Sequence, residues 1–109
     1  MYTKNYIALL IKDNTAETDV ERKALFRIFS NDDLFGKVTH LYDFKEHSIK
    51  PESLENGEVD LSSSSLKLVK LAYNLFNGYY PADVLDTFAG LDEYNFELCI
   101  EAIRIRFNQ

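Results

Sequence analysis

Two histidines and a carboxylate lie close enough in the sequence to suggest a metal site. His40 and Asp43 are three residues apart, a spacing that places both on one face of a helix, and His47 follows. Neutral imidazole and carboxylate groups bind zinc or iron at such spacings. A zinc site would also need a fourth ligand, from Glu46 or a distant carboxylate. The alternative is two surface histidines near a helix end, which we prefer, so we predict no metal and no cofactor.

Four acidic residues suggest a calcium loop at first sight. They are Asp13, Glu17, Asp19 and Glu21. An EF-hand loop beginning at Asp13 needs glycine at its sixth position and glutamate at its twelfth. Thr18 and Ala24 occupy those positions, so we reject this interpretation. We expect the four acids to cap and solvate the second helix instead.

A single cysteine is the other candidate for chemistry. Cys99 would act as a nucleophile only beside a base and in contact with solvent. It falls on an apolar stripe with Phe96, Ile100 and Ile103, which predicts a buried, inert thiol. The sequence also has no glycine-rich phosphate loop and no serine-elbow motif. We therefore predict no catalytic residue.

Polar residues at the end of one very apolar helix form a candidate binding site. Over residues 66–77 the polar side chains fall within about 80° of arc, so most of this helix is expected to be packed. If its end lines a groove, the nearby amides and phenols could bind a peptide or a small ligand. The residues concerned are Asn74, Asn77, Tyr79 and Tyr80. Alternatively, Asn77 and Gly78 terminate the helix and Asn74 binds a loop backbone.

The elements that position these residues are helices. Residues 3–12 suit a helix or a strand, and we prefer the helix because no neighbouring run offers a pairing strand. Capping residues and apolar periodicity predict the other helices. They cover residues 18–30, 31–43, 47–57 (a turn and a short helix), 66–77, 83–88 and 92–107.

The last of these helices is apolar on two faces. One stripe consists of Phe96, Cys99, Ile100, Ile103 and Phe107, and the opposite stripe consists of Leu98, Ala102 and Ile105. Such a helix is either internal or at an oligomer interface. The second stripe is therefore a candidate surface for a homodimer. Glu101 and Arg104 lie between the stripes, close enough to pair.

Length and charge limit the class of protein. The chain has 109 residues, a net charge of -6 and 46% apolar residues, which suits one domain (1–109) with its own core. The acidic balance argues against direct binding of nucleic acid or of an anionic membrane.

One cysteine excludes a disulfide framework. The chain start lacks the features of a signal peptide, and no segment approaches the length of a membrane span. We expect a cytoplasmic protein.

Four short motifs resemble a known family. They are LYDF at 41–44, LAYNLFNG at 71–78, LDEYNF at 91–96 and AIRIRF at 102–107. In this order and spacing they resemble a family of small uncharacterised proteins of Gram-positive bacteria and their mobile elements, a domain of unknown function. The resemblance covers about residues 20–107. It implies a compact, mainly helical, cytoplasmic domain, and it implies no activity, cofactor or catalytic residue.

These observations predict an all-α domain of five to six short helices, packed orthogonally around a central helix at 66–77. The preferred function is a non-catalytic protein-interaction or regulatory module. One alternative is an acidic surface that mimics nucleic acid and blocks a basic partner. The other is a small metal-dependent enzyme that uses His40, Asp43 and His47.

Overall fold

The first N–H groups of a helix need acceptors outside the helix, and this sequence supplies them at five helix starts. The structure is a computed structural model that describes residues 3–109. At each of these starts one side chain accepts a hydrogen bond from the backbone N–H three residues later. These side chains belong to Asp19, Asn31, Ser62, Asp83 and Asp92. The helix starts predicted from these residues are confirmed to within a few positions.

Residues 3–109 contain seven α-helices and one short hairpin. The helices are α1 (Thr3–Asp13), α2 (Val20–Phe29), α3 (Asp32–Phe35), α4 (Pro51–Glu55), α5 (Ser63–Asn77), α6 (Val84–Phe88) and α7 (Glu93–Phe107). The hairpin consists of antiparallel strands β1 (Tyr42–Asp43) and β2 (Ser48–Ile49) and is preceded by a 3₁₀ turn at Val38–His40. None of the helices in this part of the chain has the length and apolar character needed to cross a membrane.

The core is built around α2. Residues 24–29 of this helix are all buried, so every face of its second half is covered. α2 packs against α1, α3, α5 and α7. The aromatic ring of Phe26 lies at 5.0 Å from that of Tyr42, and the ring of Phe29 lies at 6.3 Å from that of Tyr73.

The apolar helix predicted at 66–77 is present as α5, which begins three residues earlier. It packs against α2, α6 and α7. Leu68, Val69 and Ala72 are fully buried, and the Tyr73 hydroxyl donates a hydrogen bond to the carbonyl of Leu41 at 2.7 Å. The central position expected for this helix belongs instead to α2, because α2 contacts helices on more of its sides.

The predicted helix over 31–43 is wrong beyond its first turn. α3 ends at Phe35, and the chain then forms the 3₁₀ turn and β1. Asp43 stabilises the hairpin turn because its carboxylate accepts hydrogen bonds from the N–H groups of Lys45 and Glu46. The apolar side chains of this segment are buried as expected, but by a turn and a hairpin. The fold is therefore mostly helical rather than all-α.

The first segment is a helix, as preferred from the sequence. α1 buries Leu9 and Asp13, and its Asn5 side chain donates to the carbonyl of Ser30 at 2.9 Å. Ile7 and Ile11 lie on its exposed side. α1 therefore covers one side of α2 and leaves part of its own apolar surface in solvent.

Replacing Gly78 by alanine should destabilise the fold. Gly78 ends α5 with φ = 74°, where a Cβ atom would meet no atom within 4 Å. The cost of Gly78→Ala is therefore conformational, and we expect about 1 kcal/mol of lost unfolding free energy in urea denaturation. Gly36→Ala is the matched control because its φ is -67° and its new contacts are ordinary. An equal loss in both variants would contradict this explanation.

Candidate functional site

The three candidate metal ligands do not assemble. His40 is exposed at the end of the 3₁₀ turn, the Asp43 carboxylate binds two backbone N–H groups, and His47 turns toward Asp13. Hydrogen bonds from the backbone of Glu46 and Lys45 lower the pKa of Asp43. Within residues 3–109, no group of three or more His, Cys, Asp or Glu side chains has the geometry to bind a metal ion.

A buried carboxylate, Asp13, is the partner of His47. Asp13 lies at the end of α1 and is 1% exposed. Its Oδ1 is 2.7 Å from Nδ1 of His47 and accepts a hydrogen bond from the Tyr42 hydroxyl at 3.0 Å. Its Oδ2 accepts from the Thr15 hydroxyl at 2.7 Å and lies 3.6 Å from the Arg22 guanidinium. The Asp13 side chain thus connects the end of α1 to α2 and to the hairpin. This differs from the solvated surface position expected from the sequence.

The Asp13–His47 pair resembles the carboxylate–imidazole pair that orients a general base. Catalysis would also need a nucleophile facing the imidazole. The two hydroxyls of this cluster, on Thr15 and Tyr42, both donate to Asp13 itself. Burial and the neighbouring Asp13 carboxylate raise the pKa of Tyr42 above its ordinary value. The geometry of this cluster therefore serves to hold the hairpin against α1 and α2.

Cys99 is buried, as its apolar stripe predicted. Burial raises the pKa of its thiol to about 12. A thiol with such a pKa carries almost no thiolate near neutral pH, and the thiolate is the reactive form. The structure therefore supplies no activated cysteine nucleophile within residues 3–109.

The amides at the end of α5 mostly hold the chain that follows it. The Asn74 side chain donates to the carbonyl of Tyr80 at 2.7 Å, and the Asn77 side chain accepts from the N–H of Tyr79 at 3.0 Å. The Tyr80 ring stacks on the ring of Tyr73, with centroids 6.0 Å apart. Of the four candidates, Asn77 and Tyr79 are exposed. This arrangement matches the helix-ending interpretation of Asn74 and Asn77.

The stripe proposed as a partner surface lies inside the fold. Leu98 and Ala102 have no exposed surface, and Ile105 is partly buried against the core. The reason is that α7 turns this side toward α2 and α5, which the sequence pattern alone could not distinguish from an outer face. Leu98 and Ala102 are therefore not available to a second copy in the folded chain, and Ile105 leaves only part of its surface open. In the other stripe of α7, Phe96 and Phe107 at the two ends are exposed, whereas Cys99 is buried.

An apolar groove runs between α6 and α7. It has a volume of about 210 Å³, and α5 forms its floor through Leu71, Asn74 and Leu75. Its two walls each present apolar residues four positions apart. They are Val84 and Phe88 on α6, and Ile103 and Phe107 on α7. Val84 is 76% exposed and Phe107 is 58% exposed, so the rim of the groove faces solvent.

The apolar surface extends beyond the groove at both ends. Leu85, next to Val84 on α6, is 75% exposed. The Phe88 ring contacts the ring of Phe96 with centroids 5.2 Å apart, which links α6 to the start of α7. The sequence predicted both helices, but the short segment VLDTF has no periodicity that marks Val84 and Leu85 as a surface. Only their exposure in the folded chain identifies them.

A larger groove of about 440 Å³ adjoins α6 toward the first half of α5. Three of its four charged lining residues contact other groups of the fold. The Lys67 ammonium donates to the carbonyl of Ala89 at 2.7 Å, and the Asp83 carboxylate caps α6. The Lys70 ammonium lies 5.6 Å from the centre of the Tyr80 ring. The fourth, Asp86, is exposed.

Asp13→Asn should destabilise the protein strongly. An asparagine amide can still accept from Tyr42, but its NH₂ group cannot accept from Thr15 or pair with Arg22. We expect a loss of about 3 kcal/mol in unfolding free energy, measured by urea denaturation. Asp60→Asn is the control because Asp60 is exposed. A loss below about 0.5 kcal/mol for Asp13→Asn, as expected for a surface site, would refute the joining role of this carboxylate.

The native Cys99 thiol should resist alkylation. Because burial raises its pKa to about 12, we expect iodoacetamide at pH 8 to modify the unfolded chain within minutes and the native chain at least about a hundredfold more slowly. Mass spectrometry of samples quenched over time measures both rates. Equal rates in native buffer and in urea would show that the thiol is accessible.

Comparison with known proteins supports one part of the resemblance, that the chain belongs to a family of unknown function. The model of a family of unknown function, DUF6075, matches residues 1–109. No curated protein and no solved structure matches the chain. The chain therefore belongs to the DUF6075 family of unknown function.

Proposed function

We propose that this protein is a non-catalytic protein-interaction module that binds a helical segment in the groove between α6 and α7. The observation that carries the proposal is the exposed apolar rim of this groove. Val84 and Leu85 together leave about three-quarters of their surface in solvent. Exposed apolar surface that is continuous across two elements is typical of protein-binding sites.

The size of the groove favours side chains over a free small molecule. Pockets for small ligands usually have volumes of about 300–1,000 Å³, whereas this groove has about 210 Å³. That volume suits one or two apolar side chains inserted from above. The i, i+4 pairs on both walls match the spacing of apolar residues on an amphipathic helix. A helix lying along the groove would insert side chains between Phe88 and Phe107.

The acidic-mimic alternative has less support. Mimicry of nucleic acid needs rows of carboxylates open to a basic partner. Several carboxylates instead bind the protein's own groups. Asp19, Asp83 and Asp92 cap helices, Asp43 closes the hairpin turn, and Asp13 is buried. Glu101 pairs with Arg27. Six of the 18 carboxylates are thus engaged in contacts within the fold, which leaves fewer of them for an open row.

We place this module in the cytoplasm of a Gram-positive bacterium, in a regulatory role. The support is the resemblance of its motifs to small proteins of such bacteria and their mobile elements. A net charge of -6 also favours solubility. Activity of this kind depends on the groove and on no cofactor.

Val84→Asp and Phe107→Asp should each weaken binding of helical peptides. A library of helical peptides is selected on the immobilised full chain, and the enriched peptides are titrated by fluorescence anisotropy. We expect apolar residues at i, i+3 or i+4, and i+7 in these peptides. Each charged variant should weaken binding at least about tenfold because it buries a carboxylate against an apolar helix face.

Ile11→Asp is the matched control for this experiment. Ile11 is 73% exposed, close to Val84, but it lies on α1 outside the groove. Its variant should bind the selected peptides like the original chain. Enrichment of no helical peptide, or equal loss of binding in Ile11→Asp, would refute the groove as the binding site.

A further inference from the structure

We infer that the helix bound at this groove is α7 of a second copy of the chain, packed antiparallel in a two-fold dimer. This inference rests on the proposed function and names its partner. The contact surface is not the stripe at Leu98, Ala102 and Ile105 but the outer stripe of the same helix. We define this outer stripe as Phe96, Ile100, Ile103 and Phe107, without the buried Cys99. The dimer contact would be formed by α7 and supported by the rim of α6.

The spacing of the outer stripe is that of a two-helix interface. Phe96, Ile100, Ile103 and Phe107 follow one another at intervals of four, three and four residues. This is the a/d pattern by which two helices interlock along a seam. Phe96 and Phe107, at the two ends of the stripe, are the more exposed members. In antiparallel pairing Phe96 faces the partner's Phe107, and Ile100 faces the partner's Ile103, so the seam is in register over about 16 Å.

Two charged residues flank the seam on the same side. Glu97 and Arg104 are seven residues apart, hence two turns along one face. Both are exposed. Arg27 pairs with Glu101, and Glu21 lies 3.9 Å from Arg106. No ion pair within residues 3–109 includes Glu97 or Arg104.

Charge complementarity selects the antiparallel second copy over other occupants. In that arrangement Glu97 lies beside the partner's Arg104, and Arg104 lies beside the partner's Glu97. A parallel copy would place like charges at the same height along the two helices. A uniformly basic helix would meet Arg104, and a uniformly acidic one would meet Glu97. Antiparallel helices also place opposite ends of their dipoles side by side. Only a helix with this charge order, such as α7 itself, satisfies both residues.

Charge reversal tests the pairing. Sedimentation equilibrium of the full chain, from about 5 µM to about 500 µM, should show a monomer–dimer equilibrium in the micromolar range that suits a small interface. Glu97→Arg and Arg104→Glu should each weaken the dimer by about fivefold to tenfold, because each reversal creates two like-charge contacts. The double variant E97R/R104E restores opposite charges and should return the dissociation constant to within about twofold of the original.

Glu58→Arg is the control for the change in net charge, since Glu58 is an exposed residue in a loop outside the groove. It should leave dimerisation unchanged, as should Ile11→Asp, whereas Phe107→Asp should abolish it. Circular dichroism melting checks that every variant folds. If a reversal variant unfolds, the comparison of Phe107→Asp with Ile11→Asp decides whether the stripe forms the contact.

A monomer at every concentration would overturn the second-copy inference, and continued binding of helical peptides would then leave the proposed function standing. A dimer that persists in Phe107→Asp would overturn the stripe as its contact. Failure of E97R/R104E to restore the dimer would overturn the antiparallel pairing. Absence of both dimer and peptide binding would overturn the proposed function as well.

Discussion

The burial of six consecutive residues on α2 constrains every neighbouring helix. One turn takes 3.6 residues, so a buried run at 24–29 leaves no face of the helix for solvent. α1, α3, α5 and α7 supply the necessary cover. Covering α2 uses the inner faces of α5 and α7, including Ala102. The outer stripe of α7 and the apolar residues of α6 are then left at the surface.

The same burial determines which charges are available. Arg27 lies within the buried run, where an unpaired charge would be costly. It pairs with Glu101 of α7, and its guanidinium lies 5.2 Å from the centre of the Tyr6 ring. Glu101 therefore pairs with Arg27 rather than with Arg104, the partner expected from helical spacing alone. Arg104 is exposed, which is the condition for the intermolecular pairing proposed above.

Local signals predicted most helices well and failed at one segment. Caps such as Asp19 and Asp92, and a stop such as Gly78, act within a few residues, so they are readable from the sequence. The segment after α3 has helical periodicity, yet Tyr42 enters a strand. Its hydroxyl binds Asp13, which lies 29 residues earlier. No pattern within the segment indicates this contact. The periodicity therefore predicted the burial of the apolar residues correctly but predicted a helix where the chain forms a turn and a strand.

The candidate sites also differ in whether they depend on local or on distant contacts. The apolar neighbours of Cys99 at helical spacing predict its burial. The position of Asn74 near a helix end indicates backbone binding as one of its two interpretations. The Asp13–His47 pair joins residues 34 positions apart, and nothing local marks either member.

By itself, the sequence determined where most helices begin and end, the acidic balance and the two-faced character of α7, because these depend on residue type and short-range spacing. Only the tertiary structure decided which face of α7 is inside. Both stripes are apolar enough to be buried, and the choice depends on the surface of α2 and α5 against which the helix packs. The same choice opened the groove beside α6, a surface that exists only once these three helices are in place.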